Sequence, residues 1–209
     1  MARGDTLDPK GLIAEAYRIE GIGEGECRSI FLDWALSLPE GQEVAAALEA
    51  LREGDMKKLM FHSAPAPAPQ VEFEREDGSA ATLADYRGKH VVLNFWATWC
   101  APCREEMPML SNLQAEMGGD DFAVVTIATG RNPPPAMKTF FDEIGVDNLP
   151  LHRDPKSALA RQMGVFGLPI TVILDPQGNE IARLQGDAHW DSDSAKAIVA
   201  ALIDGGGGS

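Results

Sequence analysis

Residues 90–99, HVVLNFWATW, run straight into Cys100-Ala101-Pro102-Cys103 and on into REEMPMLSNL. An apolar run that halts at a cysteine, with helix-compatible sequence beyond it, leaves few architectures open. The run has the composition of a strand buried on both faces, and such strands belong to sheets with helices packed on either side. A cysteine at the start of the following helix meets unpaired backbone N–H groups and the positive end of the helix dipole, both of which favour a thiolate. Cys103 comes one turn further in, and Pro102, which lacks an N–H, fits a first helical turn. Two cysteines at this spacing also suit zinc or haem attachment. Zinc needs a second ligand pair at compatible spacing, which the chain lacks, and haem attachment needs His where position 104 is Arg. A redox pair, with Cys100 attacking and Cys103 resolving, fits the strand-to-helix context. Carriage of copper by the two thiolates stays open as a second reading; no histidine stands at ligand spacing to support it.

The remaining composition narrows the partners. The 18 Lys and Arg against 32 Asp and Glu give a formal charge of −14, and nucleic acids or anionic membranes demand a basic face. Three cysteines do not make a disulfide-stapled scaffold, and Cys27 falls on the apolar stripe of a helix, where a buried core role is expected. His62, His90, His152 and His189 show no ligand spacing, so no metal or cofactor is expected. Met107 and Met109, beside the cysteine pair, are expected as core filler. No secretory leader is visible, and no stretch approaches the roughly 20 apolar residues of a membrane span.

At 209 residues the chain exceeds a typical domain of about 100–150 residues. A small all-α module is expected over residues 1–55. Asp8-Pro9 starts a helix carrying Leu12, Ile13, Ala16 and Tyr17, and a second helix carries Cys27, Ile30, Phe31, Trp34 and Leu38 on one face. A third runs from about Glu40 to Gly54 with Val44, Ala47, Leu48 and Leu51 inward. The string GLIAEAYRIEGIGEGECRSIFLDWALSLPEG, residues 11–41, resembles small bacterial helical proteins of no assigned activity. Residues 56–70 contain the alternation Ala64-Pro65-Ala66-Pro67-Ala68-Pro69, which is expected as an extended connector. Residues 71–203 alternate strands and helices, with an edge strand at 71–74 and buried strands at 90–96 and 122–128. Further strands are expected at 149–152, 170–174 and 180–184, the last two forming an edge hairpin around Asp175-Pro176-Gln177-Gly178-Asn179. Helices are expected after Cys103, at 135–144, at 155–163 capped by Asp154, and at 192–203. The Gly/Ser tail 204–209 is expected to be flexible.

The string LADYRGKHVVLNFWATWCAPCREEMPML closely resembles bacterial thiol-disulfide oxidoreductases of the TlpA/ResA type, a branch of the thioredoxin superfamily, and the similarity extends over about residues 56–203. The resemblance implies an α/β thioredoxin fold, a central mixed sheet flanked by helices, here preceded by the helical module. It implies reduction of disulfides in periplasmic partner proteins, of the kind met in cytochrome c or copper-oxidase maturation, with an upstream protein dithiol as reductant. The periplasmic location rests on the resemblance alone. Gly167-Leu168-Pro169-Ile170-Thr171 matches the loop whose proline is cis and faces the cysteines, with Leu168 presenting its backbone to a substrate strand. Glu106 matches the acid that this branch carries near its pair, where ordinary thioredoxin has a buried Asp at the position of Asn94. Glu106 is therefore the expected proton acceptor for the Cys103 thiol. Trp99, Ala101, Pro102, Leu168 and Pro169 are the expected substrate-binding residues, with packing an equal alternative for Trp96 and Trp99. The tail and the Pro-rich joint also fit an engineered fusion in which the helical module is a separate binding unit.

Overall fold

The computed structural model describes residues 48–206; the two helices expected before residue 40, with Cys27, lie outside the described residues, as does the third up to residue 47. Eight strands form one mixed sheet: β1 (Met60–Pro67), β2 (Phe73–Glu74), β3 (Ala80–Ala81), β4 (His90–Trp96), β5 (Phe122–Thr129), β6 (His152–Asp154), β7 (Ile170–Leu174) and β8 (Asn179–Gln185). Their order across the sheet is β1-β8-β7-β4-β5-β6-β2-β3. The pairs β4/β5 and β5/β6 are parallel, and the others are antiparallel. Among the described residues beyond 50 the α-helices are α1 (Ala101–Met117), α2 (Pro134–Ile144), α3 (Ala158–Gln162) and α4 (Asp193–Gly206). The mixed sheet with helices on it is the thioredoxin architecture expected from the resemblance. No helix among the described residues is long and apolar enough to cross a membrane.

Two apolar layers cover the sheet. One gathers Trp96, Met107, Leu110, Leu113, Phe140, Phe141 and Trp190; the other gathers Phe73, Leu93, Phe95, Ile127, Leu159 and Val172. Alternate residues of β4 enter opposite layers, as a strand's period of two requires, so all seven of its residues are buried.

The β7–β8 hairpin does not lie at the sheet edge as expected, because β1 pairs along β8 and takes the edge itself. Residues 60–67 are extended, as alternating Ala-Pro demands, and proline is tolerated in an outermost strand. Likewise β2 is not an edge strand: it lies between β6 and β3. The strand expected at 149–152 begins only at His152, because the Pro150 carbonyl accepts from Thr126 Oγ1 (2.6 Å). The α3 helix starts at Ala158, later than expected, since Ser157 has a left-handed backbone (φ 51°). Asp154 still caps it: its two carboxylate oxygens accept from the N–H groups of Ala158 (2.8 Å) and Ala160 (2.9 Å). The last helix continues to Gly206.

The turn Gly54–Lys58 fastens onto the sequence leading into α4. Asp55 pairs with His189 (2.5 Å), and the N–H of Glu53 donates to Ser194 Oγ (3.0 Å). Met56 and Leu59 enter the core layer that also holds the two cysteines.

Asp154→Ala should cost about 1–2 kcal/mol, the worth of a lost helix cap. Thermal unfolding of the oxidised protein should show a lowered Tm, with Asp154→Asn recovering part of the loss.

Candidate active site

The site grows from the end of β4. The strand is paired on both sides until Trp96, whose neighbours are Ala128 on β5 and, one residue earlier, Ile170 opposite Phe95 on β7. Beyond Trp96 the chain turns, and Cys100 takes an extended conformation (φ −92°, ψ 104°) as the N-cap of α1. Thr98 holds the turn in place: its N–H (2.8 Å) and its hydroxyl (3.0 Å) both donate to Asn132 Oδ1, while Asn132 Nδ2 donates to the Thr129 carbonyl (2.8 Å). Asn132 and Thr98 thus tie the cysteine turn to the loop after β5. The sequence reading missed this pin, because nothing local pairs two residues 34 apart.

Cys100 and Cys103 form a disulfide, with Cα atoms 5.3 Å apart. Cys100 is 6% exposed and Cys103 is fully buried, so an incoming group reaches the first sulfur only. The N–H of Cys103 donates to Cys100 Sγ (3.4 Å), and the Arg104 N–H to the Cys100 carbonyl (3.1 Å). An N–H aimed at Sγ from the first turn of a 17-residue helix stabilises negative charge there once the disulfide is opened.

Of the expected substrate-binding residues, Trp99, Ala101 and Pro102 flank the disulfide by sequence. The two tryptophans divide. Trp96 is wholly buried against Phe141 (centroids 5.4 Å apart) and Phe140 (5.7 Å), whereas Trp99 is 68% exposed. The Leu168–Pro169 peptide is cis, and it lies immediately before β7, whose first residue pairs with Phe95. The register therefore brings Leu168 and Pro169 to the same end of the sheet as the cysteines. Phe166, 91% exposed in the same loop, escaped the sequence reading; an isolated aromatic in a loop carries no periodic signal.

Glu106 lies one turn after Cys103 on α1, on the same helix face, and only 1% of it is exposed. Its Oε1 accepts from Asn94 Nδ2 (2.8 Å) and its Oε2 from the N–H of Ala188 (3.3 Å). Burial pushes its carboxyl up to about 7, against the opposing pull of the Asn94 and Ala188 hydrogen bonds. Trp190, whose buried indole N–H makes no hydrogen bond, adds a weaker pull in the same direction, and Asp187 pushes the carboxyl further up. A carboxyl that exchanges its proton near neutrality, beside a buried thiol, is equipped to take that thiol's proton. Among the described residues no three His, Cys, Asp or Glu side chains converge as a metal site.

The raised carboxyl also affects stability. The folded state holds the Glu106 proton up to about pH 7, while the group's ordinary value is 4.5. Between those values the folded state holds a proton on this group that the unfolded state has released, so the contribution of Glu106 to stability falls as pH rises, by roughly 3 kcal/mol in total, and its loss is complete above about pH 7. Denaturant unfolding of the oxidised protein at a series of pH values should show the wild type losing roughly this much stability relative to Glu106→Gln across that window; His152, which burial holds down to about 4, acts in the opposite direction in both proteins and cancels in the difference.

The sequence matches the AhpC/TSA family over residues 65–181. The thioredoxin-like protein YneN of Bacillus subtilis is 37% identical over 113 residues, 53% of this chain and 65% of YneN, so the chain spans just under two thirds of that relative's length. The thiol:disulfide interchange protein HelX of Rhodobacter capsulatus is 32% identical over 150 residues, 71% of this chain and 82% of HelX. Among solved structures, a putative thiol:disulfide interchange protein DsbE from Chlorobium tepidum superposes with a TM-score of 0.58 at 30% identity, covering 66% of this chain and 96% of that one. The matched span includes the cysteine turn, α1, the cis-proline loop, β7 and the start of β8, and on that footing the chain belongs to the AhpC/TSA family of thioredoxin-fold proteins.

Proposed function

We propose that this chain is a thiol-disulfide oxidoreductase that reduces disulfides of partner proteins through Cys100 and Cys103. The observation that carries the reading is the disulfide at the N-terminus of α1, with the Cys103 N–H on Cys100 Sγ and a buried carboxyl one turn beyond. The names of HelX and the Chlorobium protein, both thiol:disulfide interchange proteins, support it.

In the reduced enzyme, the Cys100 thiolate attacks one sulfur of the target disulfide. A mixed disulfide forms, and the other target sulfur leaves as a thiolate that takes up a proton. Cys103 then passes its proton to Glu106 and attacks Cys100 Sγ. The second target sulfur leaves, receiving the proton held by Glu106, and the Cys100–Cys103 disulfide is what remains. Two electrons have moved from the enzyme dithiol to the target, and a protein dithiol must return them for the next cycle. Trp99 and the backbone of Leu168 would hold the target segment, in β-type pairing beside Pro169. The resemblance to TlpA/ResA proteins supports a periplasmic setting and targets in cytochrome c or copper-oxidase maturation.

Cys103→Ser should trap mixed disulfides through Cys100 in a periplasmic extract, and Cys100→Ser should trap far fewer. Mass spectrometry of the trapped species identifies the targets. Glu106→Gln should leave the first attack unchanged and slow resolution roughly 100-fold near neutral pH, within the range of general acid–base catalysis. Reduction of a protein disulfide by both single-cysteine variants, with no trapped species from either, would overturn the two-cysteine mechanism.

A further inference from the structure

Both groups hydrogen-bonded to the Glu106 carboxyl are donors. Asn94 Nδ2 gives one hydrogen to Oε1, and the Ala188 N–H faces Oε2. That arrangement suits a carboxylate, which only accepts. When Glu106 takes the Cys103 proton, one oxygen becomes a donor and needs an acceptor. No solvent is at hand, since Glu106 is 1% exposed and Asn94 and Thr171 are fully buried.

Asn94 holds the missing acceptor. Its Oδ1 is buried and has no hydrogen-bond partner, while its Nδ2 gives a second hydrogen to Thr171 Oγ1 (2.8 Å). Thr171 is the direct cross-strand neighbour of Asn94 in the β4/β7 register. A half-turn about the Asn94 Cβ–Cγ bond exchanges Oδ1 and Nδ2, along a torsion that is broad and roughly two-fold. Oδ1 then faces both Glu106 and Thr171, and a hydroxyl can donate as readily as it accepts.

We propose that Asn94 is a positioning residue for both states of Glu106: its amide donates to the carboxylate and turns over to accept from the carboxylic acid, while the Thr171 hydroxyl changes from acceptor to donor. The proposal rests on the reading of Glu106 as the proton acceptor for Cys103. No covalent bond changes in the turnover; the proton moves from Cys103 to Glu106 and on to the leaving thiolate. The surroundings leave this duty to the amide. The groups that β4 and β7 place here are the neutral Asn94 and Thr171, and α1 contributes Cys103. The loop after β8 brings Asp187 and the Trp190 indole. Asp55, Lys58 and His189 pair with one another further out, and Lys58 also donates to the Asp187 carbonyl (3.3 Å).

The test uses the oxidised protein, in which neither active-site cysteine titrates. NMR follows the Glu106 Cδ resonance and the Asn94 side-chain amide from about pH 5 to about pH 9, a window that brackets the carboxyl's titration. The expected result is one shared midpoint, with the amide protons close to Thr171 at high pH and turned away from it at low pH. Asn94→Leu should move the Glu106 midpoint by less than about one unit, since it removes the donor to the charged form and the acceptor for the neutral form together. An Asn94 amide that keeps the same proton contacts throughout overturns the proposal, and needs no variant to show it. So does a Glu106 midpoint raised by a full unit or more in folded Asn94→Leu, because an amide that served both forms would not be missed by the charged form alone. If Glu106→Gln instead leaves resolution unchanged while Asn94 and Glu106 still titrate together, the proton-acceptor reading fails and the amide turnover stands.

Discussion

Everything at the site hangs from the burial of β4. Its seven residues are all buried and all pair in parallel with β5, and Val91 to Phe95 also pair antiparallel with β7. A strand so enclosed cannot slide, because a shift of one residue would exchange the side chains of the two apolar layers. Its end at Trp96 is therefore fixed, and with it the turn that delivers Cys100 to the first turn of α1. The same enclosure removes water from Asn94, in the middle of the strand, and so from Glu106, which reaches Asn94 from the helix packed above. Position of the sulfur and proton affinity of the acid have one cause.

That common cause explains how a carboxyl is used where few would be tolerated. An isolated buried carboxylate costs several kcal/mol, so such a group neutralises unless donors meet it. Asn94 and Ala188 supply two donors, enough to bring the proton affinity back toward neutrality and too few to make the group a permanent anion. The donors come from different parts of the chain, β4 and the loop after β8, so the acid's chemistry is joined to the assembly of the whole sheet.

How much of this could be read in the sequence depended on range. Strands β4, β5 and β7 announced themselves as short apolar runs, and the cysteine pair stood at the junction where its chemistry made sense. The cis-proline loop and Glu106 came through resemblance, since neither Leu168-Pro169 nor a glutamate on a helix is distinctive by itself. What escaped were pairings across distance. Thr171 lies 77 residues from Asn94, and only the β4/β7 register brings them together. Trp96 and Trp99, three residues apart, looked alike; one ends a buried strand and the other lies beyond it in the turn. The outer position of β1 was hidden too, because backbone pairing with β8 leaves no mark on side chains as plain as Ala and Pro.

Strand β1 has a consequence for how molecules of this chain meet. The end of a sheet ordinarily offers a row of free N–H and C=O groups, a template on which another chain can zip. Here the outermost strand carries Pro65 and Pro67, and its ladder with β8 is broken between Phe61 and Ala66. A proline has no hydrogen to offer a newcomer, and an irregular ladder presents no straight row to copy. The Ala-Pro stretch thus ends the sheet on this side: it completes the pairing of β8 and gives an incoming strand nothing regular to continue.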